Sequence, residues 1–487
     1  MSYSKRRMSG IQVMRPFIVL VVIMSVSLCI AGEHPEPAIS VPLNGSFEAD
    51  AWGVGDLNGD AKFDFIVRWP TQQTDPYGRL WHKSTETYKI DAYDSDGTFL
   101  WRYDMGWGIE MGVWYAPILV YDIDGDGHDE VYTKWSGGDS RQGRVESTDE
   151  WLVKLDGLTG KEVARAPWPP RELSSTLIDT SQQILWQFLS NQNRNMLCVA
   201  YLDGKSPSLI ITRGTYRGEQ VWAYDANLEK QWEWNSKAEK DSRYIGQCSH
   251  GVRAADVDGD GRDEIVLGAA VLNEDGTGLW TLGKGHVDIC HVADINWDHP
   301  GLEIFLGWEK HQIPGAANDV ALVDAASGEY IWGSGDEKVY HAHGQGLCAD
   351  ILPQYSGLES YCREHGGSPK PLNRWLYTAS GKRLDRSYGL NGNSPKAVYW
   401  DGDACKELYN ALGFNHSAFI ADMMGDWREE IITVKNGRIQ VYSSDIATEI
   451  NKPNLYRDRL YRMDMARGRK LTGYYYQAQL SKRFSAH

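Results

Sequence analysis

The feature that most constrains the fold is a short acidic repeat that returns along most of the chain. Its clearest copy, DVDGDGRDE, begins at Asp256 and places three aspartates two residues apart, before Gly261 and Glu264. Alternating carboxylates and glycines suit a tight loop around a hard cation such as Ca²⁺, which binds six to eight oxygen atoms. The loop runs directly into the apolar residues 265–267, whereas an EF-hand loop continues to a glutamate at its twelfth position. We therefore predict a calcium loop of a β-protein.

The same unit recurs in three intact copies, a fourth that is one residue longer, and a fifth that has Met424 where an oxygen ligand is expected. The predicted Ca²⁺ ligands of these copies are Asp56, Asn58, Asp60 and Asp64; Asp122, Asp124, Asp126 and Glu130; Asp256, Asp258, Asp260 and Glu264; Asp294, Asn296, Asp298 and Glu303; and Asp422, Asp426 and Glu430. Weaker copies lie at 201–204, 350–359 and 400–403. A single copy could equally be an Asp/Gly-rich turn without metal, but the set predicts a repeat architecture with several Ca²⁺ ions as cofactor.

A second motif alternates with the acidic loops and completes the repeat. It is an apolar strand ending in Asp, a turn that contains Gly, and a strand that ends in Trp, as at 92–101 and 323–332. Each motif has the pattern of a β-hairpin, and two hairpins make the four strands of one propeller blade. The sequence therefore predicts an all-β fold, an eight-bladed β-propeller with calcium-binding Asp loops. A seven-bladed propeller is the alternative, because the copies of the acidic repeat at 400 and 422 are too close in sequence for two full blades.

The N-terminus has the pattern of a secretory signal. Basic residues precede the apolar run 16–30, and a small-x-small cleavage site ends at Ala31. We predict a signal peptide over 1–31, a linker over 32–45 and a single propeller catalytic domain over 46–487. Because the apolar run is short for a membrane span, we expect a secreted or periplasmic monomer without stable membrane insertion after signal cleavage.

The charge of the chain restricts its partners. It has 66 acidic and 50 basic residues, for a net charge of −16, which argues against nucleic acid as a partner. An acidic polysaccharide remains compatible with this charge, because bound Ca²⁺ reverses the local field.

Several longer motifs carry a resemblance to a known family. They lie at 120–127 (VYDIDGDG), 199–204 (VAYLDG), 285–291 (GHVDICH), 425–431 (GDWREEI) and 460–462 (LYR). In this order, over about residues 52–476, they resemble polysaccharide lyase family 11, the rhamnogalacturonan lyases. The resemblance implies an eight-bladed propeller that binds several Ca²⁺ ions and cleaves rhamnose–galacturonate bonds of the pectin backbone by β-elimination. That reaction needs positive charge on the uronate carboxylate, a base for the C5 proton and an acid for the leaving oxygen.

The candidate site residues come from this comparison and from the chemistry. His286, Asp288, His291 and Glu309 resemble family positions and are predicted to form a second kind of metal site; a hydrogen-bonded structural cluster is the alternative. The candidate catalytic residues are Arg213, Lys134, His343 and His416, and the candidate substrate-binding residues are Tyr216, His250, His341 and Gln345. Each of these could instead be a structural ion pair, a solvated lysine or a packed histidine.

Two departures from the family pattern keep other functions open. Gln345 stands where family members usually have Arg, in Gly344-Gln345-Gly346, and the Asn-Gly-Thr-Lys motif before Gly425 is missing. A lyase for rhamnogalacturonan is preferred. The alternatives are a lyase for another rhamnose–uronate polymer and a non-catalytic calcium-stabilised propeller that binds glycans or proteins. A quinoprotein dehydrogenase shares the Gly–Trp hairpins but not the Asp loops.

Overall fold

The computed structural model of the chain describes residues 36–71, 82–143, 145, 147–171, 191–216, 218–309, 320–334, 341–365, 373–386, 388–414 and 417–483. Strands predominate in these residues. In chain order they are β1 (Ile39–Pro42), β2 (Ala51–Gly55), β3 (Asp64–Trp69), β4 (Lys89–Tyr93), β5 (Phe99–Asp104), β6 (Ile118–Tyr121), β7 (Glu130–Ser136), β8 (Glu150–Leu155), β9 (Glu162–Pro167), β10 (Asn195–Ala200), β11 (Ser208–Arg213), β12 (Gln220–Tyr224), β13 (Lys230–Asn235), β14 (Cys248–Ala255), β15 (Glu264–Gly268), β16 (Ala270–Leu272), β17 (Gly278–Thr281), β18 (Val287–Ala293), β19 (Glu303–Trp308), β20 (Val320–Asp324), β21 (Tyr330–Gly333), β22 (Leu347–Ala349), β23 (Glu359–Arg363), β24 (Arg374–Tyr377), β25 (Ala397–Val398), β26 (Glu407–Leu408), β27 (Phe419–Ala421), β28 (Glu430–Lys435) and β29 (Arg438–Tyr442).

These strands form eight antiparallel sheets within the described residues, and the all-β prediction is confirmed. Six sheets have four strands, one has three (β22–β24) and one has two (β25–β26). Except in the last sheet, consecutive strands are neighbours, and the acidic loop joins the first strand of a sheet to the second. The first strands β10, β14 and β18 are completely buried, whereas the fourth strands β9 and β13 are largely exposed.

The first strand of the chain closes the fold. β1 pairs with β29 and completes the sheet of β27, β28 and β29. The sequence places these residues in a linker over 32–45, and this boundary is wrong because residues 39–42 are paired strand. The signal peptide predicted over 1–31 and the first residues of the linker lie outside the described residues.

A repeating tryptophan contact joins neighbouring sheets and explains the Gly–Trp motif. The indole N–H of Trp101 in β5 donates to the carbonyl of Gly157 in the next sheet, at 2.7 Å. Trp232, Trp280 and Trp332 make the same contact with Glu274, Ala325 and Ala379. A side chain at Gly160 would lie about 2.4 Å from the Trp101 ring, so the turn must keep a residue without Cβ. Each of these hairpin turns thus packs against the tryptophan of the preceding sheet and accepts its hydrogen bond.

Hydrophobic side chains fill the space between adjacent sheets. Ile289 and Phe305 of one sheet, for example, pack with Cys348 and Trp375 of the next. Burial of such side chains is the main favourable contribution to folding.

The C-terminal residues 466–480, here called the central segment, contact all eight sheets. The segment hydrogen-bonds to one residue at or near the first strand of each sheet: Trp52, Ile118, Leu197, His250, Asp288, Cys348, Ala397 and Ile420. The helix α1 (Arg459–Met465) precedes the segment, and its Leu460 and Met463 pack in the core. The first strands therefore share one central partner, whose backbone forms part of the floor of the site described below.

Within the part of the chain that the structure describes, no helix has the length and apolar character needed to cross a membrane.

Candidate active site

The candidate site lies where the buried first strands begin. His286 immediately precedes β18, and Glu309 immediately follows β19. Because β18 and β19 pair antiparallel with Val287 opposite Trp308, their flanking residues are neighbours, and the Glu309 N–H donates to the His286 carbonyl at 3.3 Å. His250, near the start of β14, brings a third side chain from the adjacent sheet.

Four side chains converge here in a buried cluster that we call the Asp288 cluster: His250, His286, Asp288 and Glu309. The Nε2 atom of His286 lies 3.2 Å from Asp288 Oδ1 and 3.6 Å from Glu309 Oε2. The Nε2 atom of His250 lies 3.2 Å from both Asp288 Oδ1 and His286 Nε2. One donor atom from each residue falls within 4.8 Å of the others, so the set could hold a metal ion.

The two imidazoles are held in different tautomers by their neighbours. His286 Nδ1 donates to the Cys248 carbonyl, which leaves a lone pair on Nε2 directed into the cluster. Arg194 donates to His250 Nδ1 at 3.2 Å, so Nε2 of a neutral His250 carries the proton. In this geometry His286, Asp288 and Glu309 offer lone pairs to an ion, and His250 donates to Asp288.

The two carboxyl groups differ in their pKa values. Burial alone would raise the pKa of Asp288, but the neighbouring imidazoles, first among them the hydrogen-bonding His250, hold it well below its usual range. Burial, followed by the charge of Asp288, raises the pKa of Glu309. A divalent ion would remove the repulsion between the two carboxylates.

Tyr216 and Arg194 enclose the cluster. The Tyr216 hydroxyl donates to Glu309 Oε2 at 2.7 Å, and its ring centroid lies 4.0 Å from that of His286. Tyr216 has a left-handed backbone with φ of 76°, a conformation that costs free energy and is concentrated at functional sites. The Arg194 guanidinium lies 4.5 Å from the centre of the Trp114 ring. Arg194 is a site residue that the sequence did not reveal, because no motif surrounds it.

Three further predicted site residues lie beside the cluster. His343 Nδ1 is 2.7 Å from Asp288 Oδ2, and His341 Nε2 is 3.8 Å from Glu309 Oε1. The backbone of Gln345 is held by Asn393, while its carbonyl accepts a hydrogen bond from His291 Nε2 at 2.7 Å. His291 is therefore engaged outside the Asp288 cluster, and the metal role predicted for it does not fit this geometry. His416 lies outside the described residues.

Lys134 and Arg213, which were predicted from the sequence to be catalytic residues, lie in a buried ion-pair network. Both side chains are completely buried, and both pair with Glu150, at 2.6 Å for Lys134 and 2.7 Å for Arg213. Arg171 joins Glu150 to Glu110 in the same network. Arg213 thus has the geometry of the structural ion pair that was its alternative, whereas Lys134 is neither the solvated lysine that was its alternative nor in contact with solvent.

Two lysines that the sequence did not reveal lie in or beside the central segment. Lys396 is half-buried, with its ammonium 4.2 Å above the Tyr475 ring. It lies two residues after Ser394, whose hydroxyl accepts from the Gln345 N–H at 3.3 Å. Burial, together with the charges of Arg469 and Lys470, lowers the pKa of Lys396 to about 7, and burial lowers that of Lys470 to about 8.

The acidic loops lie at the opposite ends of the first strands. β18 begins next to His286 and ends next to Asp294, a distance of about 23 Å for seven extended residues. Of the described acidic and histidine residues, those of the second and third copies form groups that could hold a metal. The weak copy with Asp401, Asp403 and Glu407 forms another such group, which the sequence-based ligand set omitted.

The third copy fits a cation best. Asp256 Oδ1 and Glu264 Oε1 are buried without a hydrogen-bond partner, while their other oxygens accept from Gly261 and Val257. Burial raises the pKa of Glu264 to about 8, and the charges of Asp258, Asp256 and Asp260 raise it further, against a hydrogen bond from the Val257 amide that lowers it. Orphaned carboxylate oxygens next to Asp258 are the donors that Ca²⁺ prefers.

Protein groups satisfy the carboxylates in several other copies. In the second copy Lys154 Nζ lies 2.6 Å from Asp124 and 3.1 Å from Glu130, so an ammonium already neutralises them. In the fourth copy His299 lies 3.0 Å from Glu303. Asp56 and Asp64 of the first copy accept hydrogen bonds from backbone amides through both oxygens. In the fifth copy Asp422 Oδ2 accepts from two backbone amides, but Oδ1 is buried without a partner among the described residues. The repeat sequence therefore does not imply the same metal occupancy in each loop.

Comparison with known proteins places the chain in a family. A family model described as rhamnogalacturonan lyase family 11, C-terminal domain, matches residues 41–416. The chain belongs to rhamnogalacturonan lyase family 11. Among family 11 relatives, the rhamnogalacturonan endolyase YesW of Bacillus subtilis (strain 168) is 32% identical over 471 residues, which cover 86% of this chain and 71% of the relative.

A second family 11 relative, the rhamnogalacturonan exolyase YesX of the same organism, is 31% identical over 481 residues, or 86% of this chain and 75% of the relative. The crystal structure of the exotype lyase YesX superposes with a TM-score of 0.77 at 29% identity, covering 92% of this chain and 82% of the other. The family resemblance seen in the sequence motifs is confirmed, and the chain shares the family 11 fold over almost its whole length.

Proposed function

We propose that the protein is a rhamnogalacturonan lyase that cleaves rhamnose–galacturonate bonds by β-elimination at the Asp288 cluster. The observation that carries the proposal is the convergence of His286, Asp288 and Glu309 at the ends of two paired strands, in a family 11 chain. Such a set of converging polar groups, in which the two carboxyl groups have shifted pKa values, is typical of a reaction centre.

We propose that His286, Asp288 and Glu309 hold a Ca²⁺ ion. When bound, the ion would supply positive charge to the uronate carboxylate, where negative charge develops during removal of the C5 proton. Tyr216 positions Glu309 through its hydroxyl, and Arg194 fixes the orientation of His250. The chain therefore contributes an ordered set of ligands whose orientation is fixed by neighbouring side chains.

We propose Lys396 as the base that accepts the C5 proton, in place of the buried Lys134. A lysine acts as a base only when it is neutral, and a pKa of about 7 makes a large neutral fraction available near neutral pH. Among the described residues no carboxylate pairs with its ammonium, so burial is not offset by a counter-ion. Lys470, which is half-buried like Lys396, adds positive charge beside it, which suits an anionic polymer.

Substituting Lys396 with methionine (K396M) should lower kcat/KM by about 10²–10⁴-fold, the usual contribution of a general base. In the unchanged protein, kcat/KM should rise with pH through about 7, because the neutral lysine accumulates above its pKa. The pH profile of initial rates checks both points, with the exposed Lys482 changed to methionine (K482M) as the matched control. A K396M variant that keeps the rising limb near pH 7 would exclude Lys396 as the base.

We further propose that the eight sheets form an eight-bladed propeller that acts, as a secreted or periplasmic monomer, on a polymer outside the cytoplasm. The common contact of all eight first strands with the central segment supports this arrangement. Calcium at the third acidic loop would stabilise the fold, because metal binding to the folded state alone adds to its stability.

Chelation with EDTA should therefore lower the melting temperature by at least about 3 °C, since a Ca²⁺ concentration of 100 Kd contributes about 2.7 kcal/mol. The glutamine variant of Glu264 (E264Q) should show a smaller shift on chelation, because one of the two orphaned oxygens loses its charge. Differential scanning calorimetry measures both, with the exposed Asp445 changed to asparagine (D445N) as control. Equal melting temperatures with and without Ca²⁺ would contradict a structural calcium site.

The substrate is tested by ultraviolet absorbance of the products. Elimination leaves a C4–C5 double bond conjugated to the carboxylate, which absorbs in the ultraviolet, whereas hydrolysis leaves none. We expect a rise with rhamnogalacturonan I and none with an ulvan-type rhamnose–glucuronate polymer. A rise with the second polymer alone would move the function to another uronate, and no rise with either would favour a glycan-binding propeller.

A further inference from the structure

We propose that Asp288, His341 and His343 form a second metal-ion site, which selects a first-row transition ion such as Zn²⁺ over Ca²⁺. One carboxylate oxygen of Asp288 and one ring nitrogen from each histidine lie within 4.8 Å of one another. The site is adjacent to the Asp288 cluster but uses a different oxygen of the shared carboxylate and two different histidines. Metal binding here does not depend on the lyase reaction.

The two histidines offer unused donor atoms. The Nε2 atom of His341 is buried, has no hydrogen-bond partner among the described residues, and lies 3.8 Å from Glu309 Oε1. His343 Nδ1 lies 2.7 Å from Asp288 Oδ2 but is not aligned to form a hydrogen bond with it. A buried polar atom without a partner is costly, and an ion between these atoms would satisfy both nitrogens.

The backbone holds both rings toward the same place. Ala342, between the two histidines, forms a β-bridge with Glu364, and its N–H donates to the Trp308 carbonyl at 3.1 Å. In an extended strand, residues two apart lie on the same side. The ring of His365 stacks on His341 with centroids 5.0 Å apart and lies edge-on to His343 at 4.4 Å, which restricts both rings further.

The Asp288 carboxylate can serve two ions at once. Its Oδ1 faces His250 and His286, while its Oδ2 accepts from the Gly344 N–H at 3.1 Å and faces His343. Carboxylates that bridge two ions are common in sites where the ions lie about 3.5–4 Å apart. Two ions would therefore share the charge of one buried carboxylate.

The donor atoms determine which ion is favoured. Imidazole nitrogens suit Zn²⁺, Co²⁺, Ni²⁺ and Cu²⁺, whereas Ca²⁺ prefers oxygen ligands. This site offers one carboxylate and two imidazoles, whereas the proposed Ca²⁺ ligands of the Asp288 cluster are two carboxylates and one imidazole. Two imidazoles and one carboxylate leave further coordination positions open. The His343 side chain is 27% exposed, compared with 0% for His286, so an ion can enter from solvent and retain water ligands.

The test uses the full chain saturated with Ca²⁺ and titrated with Co²⁺, followed by visible absorption and by isothermal titration calorimetry. We expect one Co²⁺ per chain with a ligand-field band in the visible range. The glutamine variants H341Q and H343Q should each weaken Co²⁺ binding by at least about tenfold, and the double variant should abolish it. The exposed His82, changed to glutamine (H82Q), is the matched control and should bind as the unchanged protein does.

Other results would overturn the proposal. The first is the absence of stoichiometric Co²⁺ binding at saturating Ca²⁺, and the second is Co²⁺ binding that persists in the double variant. The third is Co²⁺ binding that is lost in the glutamine variant of His286 (H286Q) but not in H341Q. The circular dichroism spectrum and the calcium-dependent melting temperature of H341Q and H343Q establish that these variants fold. Because the readout needs no substrate, Co²⁺ binding by a protein inactive on rhamnogalacturonan would contradict the lyase proposal and support this site.

Discussion

Replacing Glu150 with glutamine (E150Q) is expected to lower the free energy of unfolding by about 3–5 kcal/mol, the usual cost of removing one partner from a buried ion pair. Glu150 is 2% exposed and contacts three cations: Lys134 at 2.6 Å, Arg213 at 2.7 Å and Arg171 at 2.9 Å. In the variant only Glu110 would remain to balance three buried positive charges.

The pKa values of the network give this variant a distinct pH dependence. Burial lowers the pKa of Lys134 to about 8 although Glu150 raises it, so loss of Glu150 should lower it further. A folded-state pKa below that of the unfolded chain means that the unfolded state binds more protons between the two values, and stability then rises with pH. Between pH 7 and 9 the E150Q variant should therefore regain part of its lost stability.

Urea unfolding at constant Ca²⁺, repeated at pH 7 and 9, measures both effects. The matched control is glutamine at Glu162 (E162Q), which pairs with Arg165 at the surface with 29% and 41% of the two side chains exposed. A surface pair of this kind contributes about 0–1 kcal/mol. If E150Q loses no more stability than E162Q, or if it keeps its stability and loses only lyase activity, the structural role assigned to Lys134 and Arg213 is wrong.

The asparagine variant of Asp288 (D288N) should lose at least about 10³-fold in kcat. This loss exceeds that of K396M if the general base contributes at the low end of the range expected for it. The Asp288 carboxylate contacts His250 and His286 through one oxygen and the Gly344 amide through the other. An amide keeps the shape but not the charge, so the cluster loses its affinity for a divalent ion. Removing a group that stabilises developing charge usually costs about 10²–10³-fold, and loss of the ion adds to this.

Initial rates of unsaturated product formation, measured over a range of Ca²⁺ concentrations, check this prediction. The melting temperature of metal-free D288N should lie at or below that of the unchanged protein, because the contacts that hold the pKa of Asp288 low stabilise its charged form in the folded state. The D445N variant serves as the control for the loss of one surface carboxylate. D288N activity within tenfold of the unchanged protein would remove Asp288 from the reaction centre.

The sequence predicts the sheets well because each acidic loop joins the first two strands of a sheet. The Gly–Trp hairpins are equally regular, since Trp101 and its counterparts need a glycine turn to pack against. His286 and Glu309 could be predicted together because they flank the same hairpin. These features depend on residues that are close in sequence or joined by one strand pairing.

The remaining site residues depend on contacts between distant parts of the chain. Lys134 and Arg213 are buried by Glu150 and Arg171, which lie on other elements. Lys396 owes its lowered pKa to burial and then to the charges of Arg469 and Lys470 of the central segment. In the second acidic loop, Lys154 on the neighbouring strand β8 neutralises the carboxylates, and no spacing rule within the loop predicts it.

Chelating the protein and then restoring Ca²⁺, while following ultraviolet absorbance on rhamnogalacturonan I, tests the central claim most directly. The account predicts that elimination stops on chelation and returns with Ca²⁺ in the unchanged protein and in E264Q, but that D288N stays inactive throughout. Product formation that continues in the chelated protein, or in D288N, would contradict a metal-dependent lyase centred on Asp288.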